Sequence, residues 1–164
     1  MIIITTQCFE PKIGGIESLM TGMAEAMSNY GEEVIVLADG LEEKNDKNKK
    51  YIIKRFNGWK PIRRFNKAKY LEKLCLENNV KAIYADSWKS VEYLNKKNKK
   101  ILVLAHGTEI PKQYWTVVFD MLRFKRNRIQ SSYKNIFKII ANSNYTKELM
   151  QASLNIKSDL IDII

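Results

Sequence analysis

Six short apolar runs rich in β-branched residues are spread along the chain. They lie at 2–6, 33–39, 51–56, 81–86, 100–107 and 138–143. Most of them stay apolar for several residues in a row, which is typical of parallel strands that are covered on both faces. A further run, DLIDII, ends the sequence and also reads as a strand. The pattern therefore predicts a mostly parallel sheet.

Between these runs, apolar positions recur at three- and four-residue steps, the period of an amphipathic helix. The predicted helices cover 16–30, 66–79, a short stretch capped by Ser87, 112–136, and a segment from Ser143 or Asn144 to about Ala152. Gly31 is a fitting stop for the first helix, and Asn66 can cap the second. The alternation predicts an α/β fold with a doubly wound, Rossmann-like sheet, and the length predicts a single domain over 1–164.

Composition adds one strong feature, a formal net charge of +10, to a chain that is hydrophobic enough, at 45%, for a sizeable core. So large a charge favours a polyanionic partner, such as nucleic acid, an anionic membrane surface or a phosphorylated substrate. A surface merely rich in Lys and Asn would carry the same charge without any such partner. No helix-turn-helix, zinc or RNA-binding motif is visible, so we expect no nucleic-acid partner.

The cysteines and the single histidine point away from a metal centre. Cys8 and Cys75 do not belong to a metal-ligand spacing, and we expect two reduced, buried thiols in a cytoplasmic protein. No apolar run reaches the roughly 20 residues that span a bilayer. Any membrane contact is therefore expected to be peripheral.

The connection between the first strand and the first helix contains two adjacent glycines, Gly14 and Gly15, in QCFEPKIGGIE. Their spacing does not fit the dinucleotide fingerprint G-x-G-x-x-G, and no G-K-[ST] follows, so this is not a P-loop. A glycine pair before a helix lets the backbone come close to a diphosphate. A loop that needs a positive φ angle would equally explain the pair, and the pair alone does not decide between the two.

Polar residues follow three further predicted strands. Asp86 follows one, His106 to Glu109 follow the next, and Asn142 to Asn144 follow a third. The carboxyl ends of parallel strands lie at one edge of a sheet, where α/β proteins bind ligands. His106 stands at such an end and is followed by a glycine and an acid, so we expect it to be functional.

Three motifs in this order resemble one family. FEPKIGGIESLMTGMAEAMSNYGEEVIVLA is similar to the opening of the GT-B glycosyltransferases of the retaining group-1 (family 4) class. LVLAHGTEI resembles the fifth strand of that family with its His-Gly-polar-acid end, and IIANSNYTKELM resembles its S-x-x-x-K/R-E-x-L junction. The three motifs together cover essentially the whole chain.

The resemblance implies the N-terminal, acceptor-side half of a GT-B enzyme, whose C-terminal donor domain is absent from this sequence. It implies retaining transfer of a sugar from a nucleotide sugar to a lipid-linked or polysaccharide acceptor, without a metal or other cofactor. In this reading His106 is catalytic and lies beside the transferred sugar, and Gly14 and Gly15 bind the donor diphosphate. Glu17 and Glu109 match acids of the motifs and are candidate substrate-binding residues. Asp86 is a further candidate, although the family often has His or Asn there.

Two stretches mix basic and aromatic residues, FNGWKPIRRFNKAKY (56–70) and YWTVVFDMLRFKRNR (114–128). This mixture suits a segment that lies on anionic lipid. The predicted membrane or acceptor surface consists of Trp59, Arg63, Arg64, Arg123, Lys125, Arg126 and Arg128. We therefore expect a cytoplasmic protein that is peripheral on the inner face of the cytoplasmic membrane; the alternative is a solvated basic face over an ordinary core helix.

Three other functions stay open from the sequence. The chain could be a non-catalytic binding module or one subunit of a split glycosyltransferase that ends near Ile164. It could be a nucleic-acid-binding α/β domain, which the charge suggests, or part of a sugar-nucleotide epimerase of similar two-domain architecture. The strand-like run at the end of the sequence favours a longer enzyme, and we expect the isolated domain to be nearly inactive because a cleft needs both of its walls.

Overall fold

The computed structural model describes residues 1–95, 100–111 and 120–164, and only the backbone of 120–123. In these ranges the apolar runs form one seven-stranded sheet. Its strands are β1 (Ile2–Thr6), β2 (Val34–Asp39), β3 (Ile52–Phe56), β4 (Ala82–Ala85), β5 (Ile101–Ala105), β6 (Lys138–Ala141) and β7 (Ile161–Ile163). The strand predicted from DLIDII is thus confirmed as β7.

The strand order across the sheet is β3-β2-β1-β4-β5-β6-β7, and every neighbouring pair is parallel. The predicted doubly wound, Rossmann-like fold is confirmed. β2 and β3 follow β1 on one side of the sheet. The chain then crosses back, and β4 lies on the other side of β1. The order therefore reverses between β1 and β4, and the carboxyl ends of these two strands border the crevice where such sheets bind ligands.

The described residues contain four α-helices, α1 (Gly15–Asn29), α2 (Lys60–Glu77), α3 (Asp120–Ser132) and α4 (Asn144–Leu154). Two of the predicted end signals are confirmed. Gly31 follows α1 with φ +86°, a left-handed conformation that glycine adopts without strain. The Ser143 hydroxyl accepts a hydrogen bond from the Thr146 amide at 3.2 Å and caps α4.

The predicted start of α2 is wrong. Asn66 is not its cap, because the helix begins six residues earlier, at Lys60, with Trp59 as the N-cap. Pro61 lies in the first turn, where a helix needs no amide hydrogen. That signal outweighs the capping preference of Asn66, whose place is in the interior of α2.

Two other helix predictions are corrected. The short helix expected after Ser87 is a single 3₁₀ turn, Trp88–Ser90. Of the predicted helix 112–136, residues 112–119 lie outside the described residues, α3 ends at Ser132, and a 3₁₀ turn follows at Tyr133–Asn135. Tyr133 and Ile136 are nevertheless buried, so the apolar spacing marked the core even where the helix had ended.

The hydrophobic core lies on both faces of the sheet. Along β1, Ile3 faces one cluster, which includes Leu71 of α2, whereas Ile2 and Ile4 face a second cluster with Met20 of α1. This alternation follows from the two-residue period of a strand. Each fully buried Ile or Leu side chain contributes about 1.5–3 kcal/mol relative to exposure, so the sheet is a rigid platform for the residues at its edge.

Candidate active site

Two of the predicted strand-end residues, Asp86 and Glu109, lie with Glu17 of α1 around Cys8, in the loop that follows β1. Asp86, Glu17 and Glu109 are close enough to the Cys8 thiol to act on its charge, and Glu17 also forms a hydrogen bond with it. Burial is the main cause that raises the pKa of Cys8 from 9.0 to about 11, and the three carboxylates raise it further. Neither Cys8 nor Cys75 is part of a disulfide, so the expected reduced state fits. Both cysteines are half-buried, so the expectation that they are buried is wrong.

The glycine pair has no explanation in the backbone geometry. Gly14 is extended, with φ 174° and ψ 170°, and Gly15 is the first residue of α1. Positive φ angles occur at Gly31, Gly40 and Gly58 among the described glycines, but not at this pair. The alternative that the pair serves a positive φ angle is therefore wrong.

Internal packing does not require the pair either. A Cβ atom on Gly15 would meet no heavy atom within 4 Å. A Cβ atom on Gly14 would meet the Glu17 Oε2 atom at 2.3 Å, which is the far end of a flexible side chain. The missing side chains thus leave a bare stretch of backbone at the surface of the cleft edge.

The amino terminus of α1 opens onto this bare backbone. The first hydrogen bond of the helix runs from the Ser18 amide to the Gly14 carbonyl at 2.9 Å, and Gly14 has no side chain that could cap the earlier amides. These amides and the helix dipole favour an anion here. The Glu17 carboxylate folds back over Gly14 and places a negative charge beside it.

His106 directly follows β5 and precedes a 3₁₀ turn at Gly107–Glu109. Its Nε2 atom is buried and has no hydrogen-bond partner among the described residues. Gly107 allows this turn to pack against α4, since a Cβ atom there would lie only 3.1 Å from the Thr146 hydroxyl. The imidazole therefore lies at the carboxyl edge of the sheet, with one buried nitrogen that has no partner among the described residues.

Asp86 is fully engaged inside the chain. It is buried, and its Oδ2 atom accepts hydrogen bonds from the Gln7 amide at 2.7 Å and from the Thr6 hydroxyl at 2.9 Å. Its Oδ1 atom accepts hydrogen bonds from the hydroxyls of Ser90 at 2.6 Å and Ser87 at 3.2 Å. Asp86 thus holds the exit of β1 against the turn after β4, and its predicted contact with substrate stays a prediction.

A buried ion pair beneath the site escaped the sequence analysis. Lys67 is only 1% exposed, and its Nζ atom donates to the Thr6 carbonyl and to Asp39 Oδ1, both at 2.8 Å. Burial lowers the pKa of Lys67, and the nearby Asp39 and Asp86 carboxylates oppose that shift. Lys67 lies four residues before Leu71 on the buried face of α2, a helical spacing that could have revealed it.

Two of the other predicted residues also have partners within the chain. Glu109 forms an ion pair with Lys89 at 2.8 Å. Arg63 lies with its Nε atom 2.9 Å from Asp39 Oδ2, as an ion pair rather than an aligned hydrogen bond. Arg63 therefore completes the buried charge cluster at the end of β2.

Glu92 joins the two basic, aromatic stretches. It binds Arg64 of α2 at 2.9 Å and Arg128 of α3 at 2.6 Å, and Arg128 also lies over the Trp88 ring at 5.4 Å. The Arg64 side chain is mostly covered, whereas the Arg128 side chain is half-exposed.

Both apolar and basic members of the two stretches are exposed. Trp59 is 72% and Phe124 70% exposed, and Lys60 and Lys69 are exposed as well. Lys125 and Arg126 are half-buried, and the side chain of Arg123 lies outside the described residues. The predicted membrane surface stays a prediction, and its exposed part contains both aromatic and basic side chains.

Within the described ranges, 1–95, 100–111 and 120–164, no three His, Cys, Asp or Glu side chains lie close enough together to hold a metal ion. No helix in those ranges is long and apolar enough to cross a membrane.

The fold and the bare helix terminus define a doubly wound α/β domain with a candidate anion site at its switch point. The family model of Glycosyltransferase Family 4 matches residues 13–164, and the chain belongs to this family. The family membership predicted from the three sequence motifs is thereby confirmed.

A solved structure supports the same fold. The crystal structure of a glycosyltransferase from Rickettsia africae ESF-5 is similar to this chain, with a TM-score of 0.63 and 19% sequence identity. The similar region covers 99% of this chain and 42% of that chain, so this chain spans less than half the length of that glycosyltransferase. No curated protein matches the sequence.

Proposed function

We propose that this chain is the acceptor-side domain of a retaining GT-B glycosyltransferase, which transfers a sugar from a nucleotide sugar to a lipid-linked or polysaccharide acceptor. The observation that carries the proposal is the glycine pair at the open end of α1, since neither φ angles nor packing within the chain calls for it. A ligand that needs close approach to the backbone accounts for it. Membership of Glycosyltransferase Family 4 supports the same class of reaction.

Charge development in the reaction fits the proposed roles. When the bond between the sugar and the diphosphate breaks, positive charge grows on the sugar ring and negative charge grows on the departing diphosphate. The amides at the start of α1, next to Gly14 and Gly15, stabilise the departing diphosphate. His106 is the proposed catalytic residue beside the transferred sugar, and Glu17 and Glu109 are the proposed substrate-binding residues. The proposed reaction uses no metal or other cofactor.

The other wall of the cleft belongs to a donor domain outside this sequence. That domain supplies most of the nucleotide-sugar site and reads the base, so the 164-residue chain alone is expected to be nearly inactive. The greater length of the similar Rickettsia glycosyltransferase supports this division.

A binding experiment tests the proposed diphosphate site without requiring turnover. We expect inorganic pyrophosphate to bind the chain in titration calorimetry, and uridine, guanosine and adenosine diphosphates to compete with it about equally. Nucleosides without phosphates should not compete, because the base is read elsewhere. Absence of pyrophosphate binding, or competition by a bare nucleoside, would contradict the proposal.

The acceptor side of the proposal places the domain on the inner face of the cytoplasmic membrane. Trp59 and Phe124 are exposed and Arg128 is half-exposed, a mixture that suits the interface of an anionic bilayer. We expect the chain to float with vesicles of phosphatidylglycerol and phosphatidylcholine, but not with phosphatidylcholine alone.

Substitution at this surface gives the flotation experiment its control. Trp59→Ala combined with Phe124→Ala should release the chain from anionic vesicles. Leu76→Ala, which removes an equally exposed side chain (78%) at the other end of α2, should not. Failure of the unaltered chain to bind anionic vesicles at low salt would refute the membrane part of the proposal.

A further inference from the structure

The loop that leads from β1 to the glycine pair is tied down at one acidic residue. The Glu10 carboxylate accepts a hydrogen bond from the Tyr51 hydroxyl at 3.1 Å and binds the Lys49 ammonium at 2.9 Å. The Glu10 carbonyl accepts a hydrogen bond from Arg55 Nη2 at 2.7 Å. Side chain and backbone of one loop residue are therefore held by three different partners.

These partners are themselves fixed. Arg55 is buried and forms two bonds of 2.7 Å with the Asp46 carboxylate, in the 3₁₀ turn Lys44–Asn48. Tyr51 is buried, and its ring meets the Phe9 ring edge-on at a centroid distance of 6.4 Å. Glu10 and its partners Tyr51, Lys49 and Arg55 form an anchor, which connects the loop to β3 and to the basic turn before it.

Beyond Glu10, no hydrogen bond or ion pair with another described residue holds the loop until α1 begins. Pro11, Lys12 and Ile13 are exposed, and Ile13 is 100% exposed. The position of Gly14 therefore depends on Glu10 on one side and on α1 on the other. Lys49 also links Glu10 to α1, because its ammonium group binds Glu25 of α1 at 3.1 Å.

We propose that Glu10 is a positioning residue for the glycine pair, held in place by Tyr51, Lys49 and Arg55 so that the bare backbone is ordered before a diphosphate arrives. This inference rests on the proposed function. A loop that is ordered in advance loses less conformational freedom when its ligand binds. Partly exposed ion pairs such as that of Glu10 with Lys49 contribute little to global stability, so the anchor acts on local order.

The sharpest test is Tyr51→Phe, which removes one hydroxyl and keeps the ring that packs on Phe9. Amide hydrogen exchange, followed by NMR without ligand, should become about fivefold faster at Ser18, whose amide bonds to the Gly14 carbonyl; this is the change expected for one lost hydrogen bond to a carboxylate. Pyrophosphate binding should weaken by about the same factor. Glu10→Gln should act in the same direction and should not add fully to Tyr51→Phe.

Tyr70→Phe is the matched control, because it removes a hydroxyl from a tyrosine that contacts β3 through the Phe56 ring and does not touch Glu10. It should change neither exchange at Ser18 nor pyrophosphate affinity. An exchange rate in Tyr51→Phe equal to that of the control would overturn the anchoring, even if pyrophosphate binds. Faster exchange with unchanged affinity would also overturn the positioning role. Faster exchange in a chain that never binds pyrophosphate would instead overturn the proposed function and leave the anchor supported.

Discussion

Gly15→Ala distinguishes a glycine required by the fold from a glycine required by a ligand. We expect this substitution to stabilise the fold and to weaken ligand binding. Gly15 is the first residue of α1, its φ angle is not in the left-handed region, and an added Cβ atom meets no heavy atom within 4 Å. Alanine is the better helix former by about 1 kcal/mol in a helix interior, and in the first turn we expect a gain of about 0.5 kcal/mol.

In the proposed function, the same methyl group would occupy the surface that the diphosphate approaches. Forcing an extra methyl group into a packed contact costs about 1–3 kcal/mol, which corresponds to roughly 5- to 150-fold weaker binding. The assay is pyrophosphate titration together with denaturant unfolding of the same samples. Stability and affinity should therefore move in opposite directions.

Gly22→Ala is the control for this variant. Gly22 lies in the middle of α1, is exposed, and an added Cβ atom would again meet nothing within 4 Å. It should stabilise the fold by about 1 kcal/mol and leave pyrophosphate binding unchanged. Equal affinity of Gly15→Ala and the unaltered chain would refute the reasoning, since the bare backbone would then serve no ligand.

Three further predictions follow from the residues around the pair. Glu17→Gln should tighten pyrophosphate binding, because the carboxylate that folds back over the start of α1 no longer repels the anion; unchanged or weaker affinity in calorimetry would contradict this. Lys67→Met should lower the free energy of unfolding by about 3 kcal/mol, because it leaves the Asp39 carboxylate buried without its main partner. Lys81→Met, which removes an exposed ion pair, should change the denaturation midpoint little. Alkylation of Cys8 by iodoacetamide, measured by mass spectrometry, should rise with pH up to about 11, since only the thiolate reacts and its pKa is raised to that value; a rate that levels off near pH 9 would show an unperturbed thiol.

The architecture was predictable because each strand carries its own signal. A parallel sheet covered on both faces requires apolar runs such as the one in β2, and these runs are visible without any knowledge of contacts. The convergence of Asp86 and Glu109 near Cys8 follows from the topology, because parallel strands bring their carboxyl ends to one edge.

Partnerships between distant charges were not predictable. Lys67 with Asp39, and Arg64 with Glu92, are separated by 28 residues in each pair and lie on different elements. A lysine or arginine in a basic stretch looks the same in the sequence whether it is solvated or paired. The arginines predicted for a membrane surface therefore include Arg63 and Arg64, whose charges are largely used inside the fold.

Amide chemical-shift changes during pyrophosphate titration of the 164-residue chain would locate the bound anion. If the amides at the start of α1 bind it, the largest changes fall on Gly14, Gly15 and Ile16, with a smaller change at His106. Changes concentrated instead on the basic turn Lys44–Asn48 would contradict this binding site, because pyrophosphate would then bind through surface charge and not through the open end of α1.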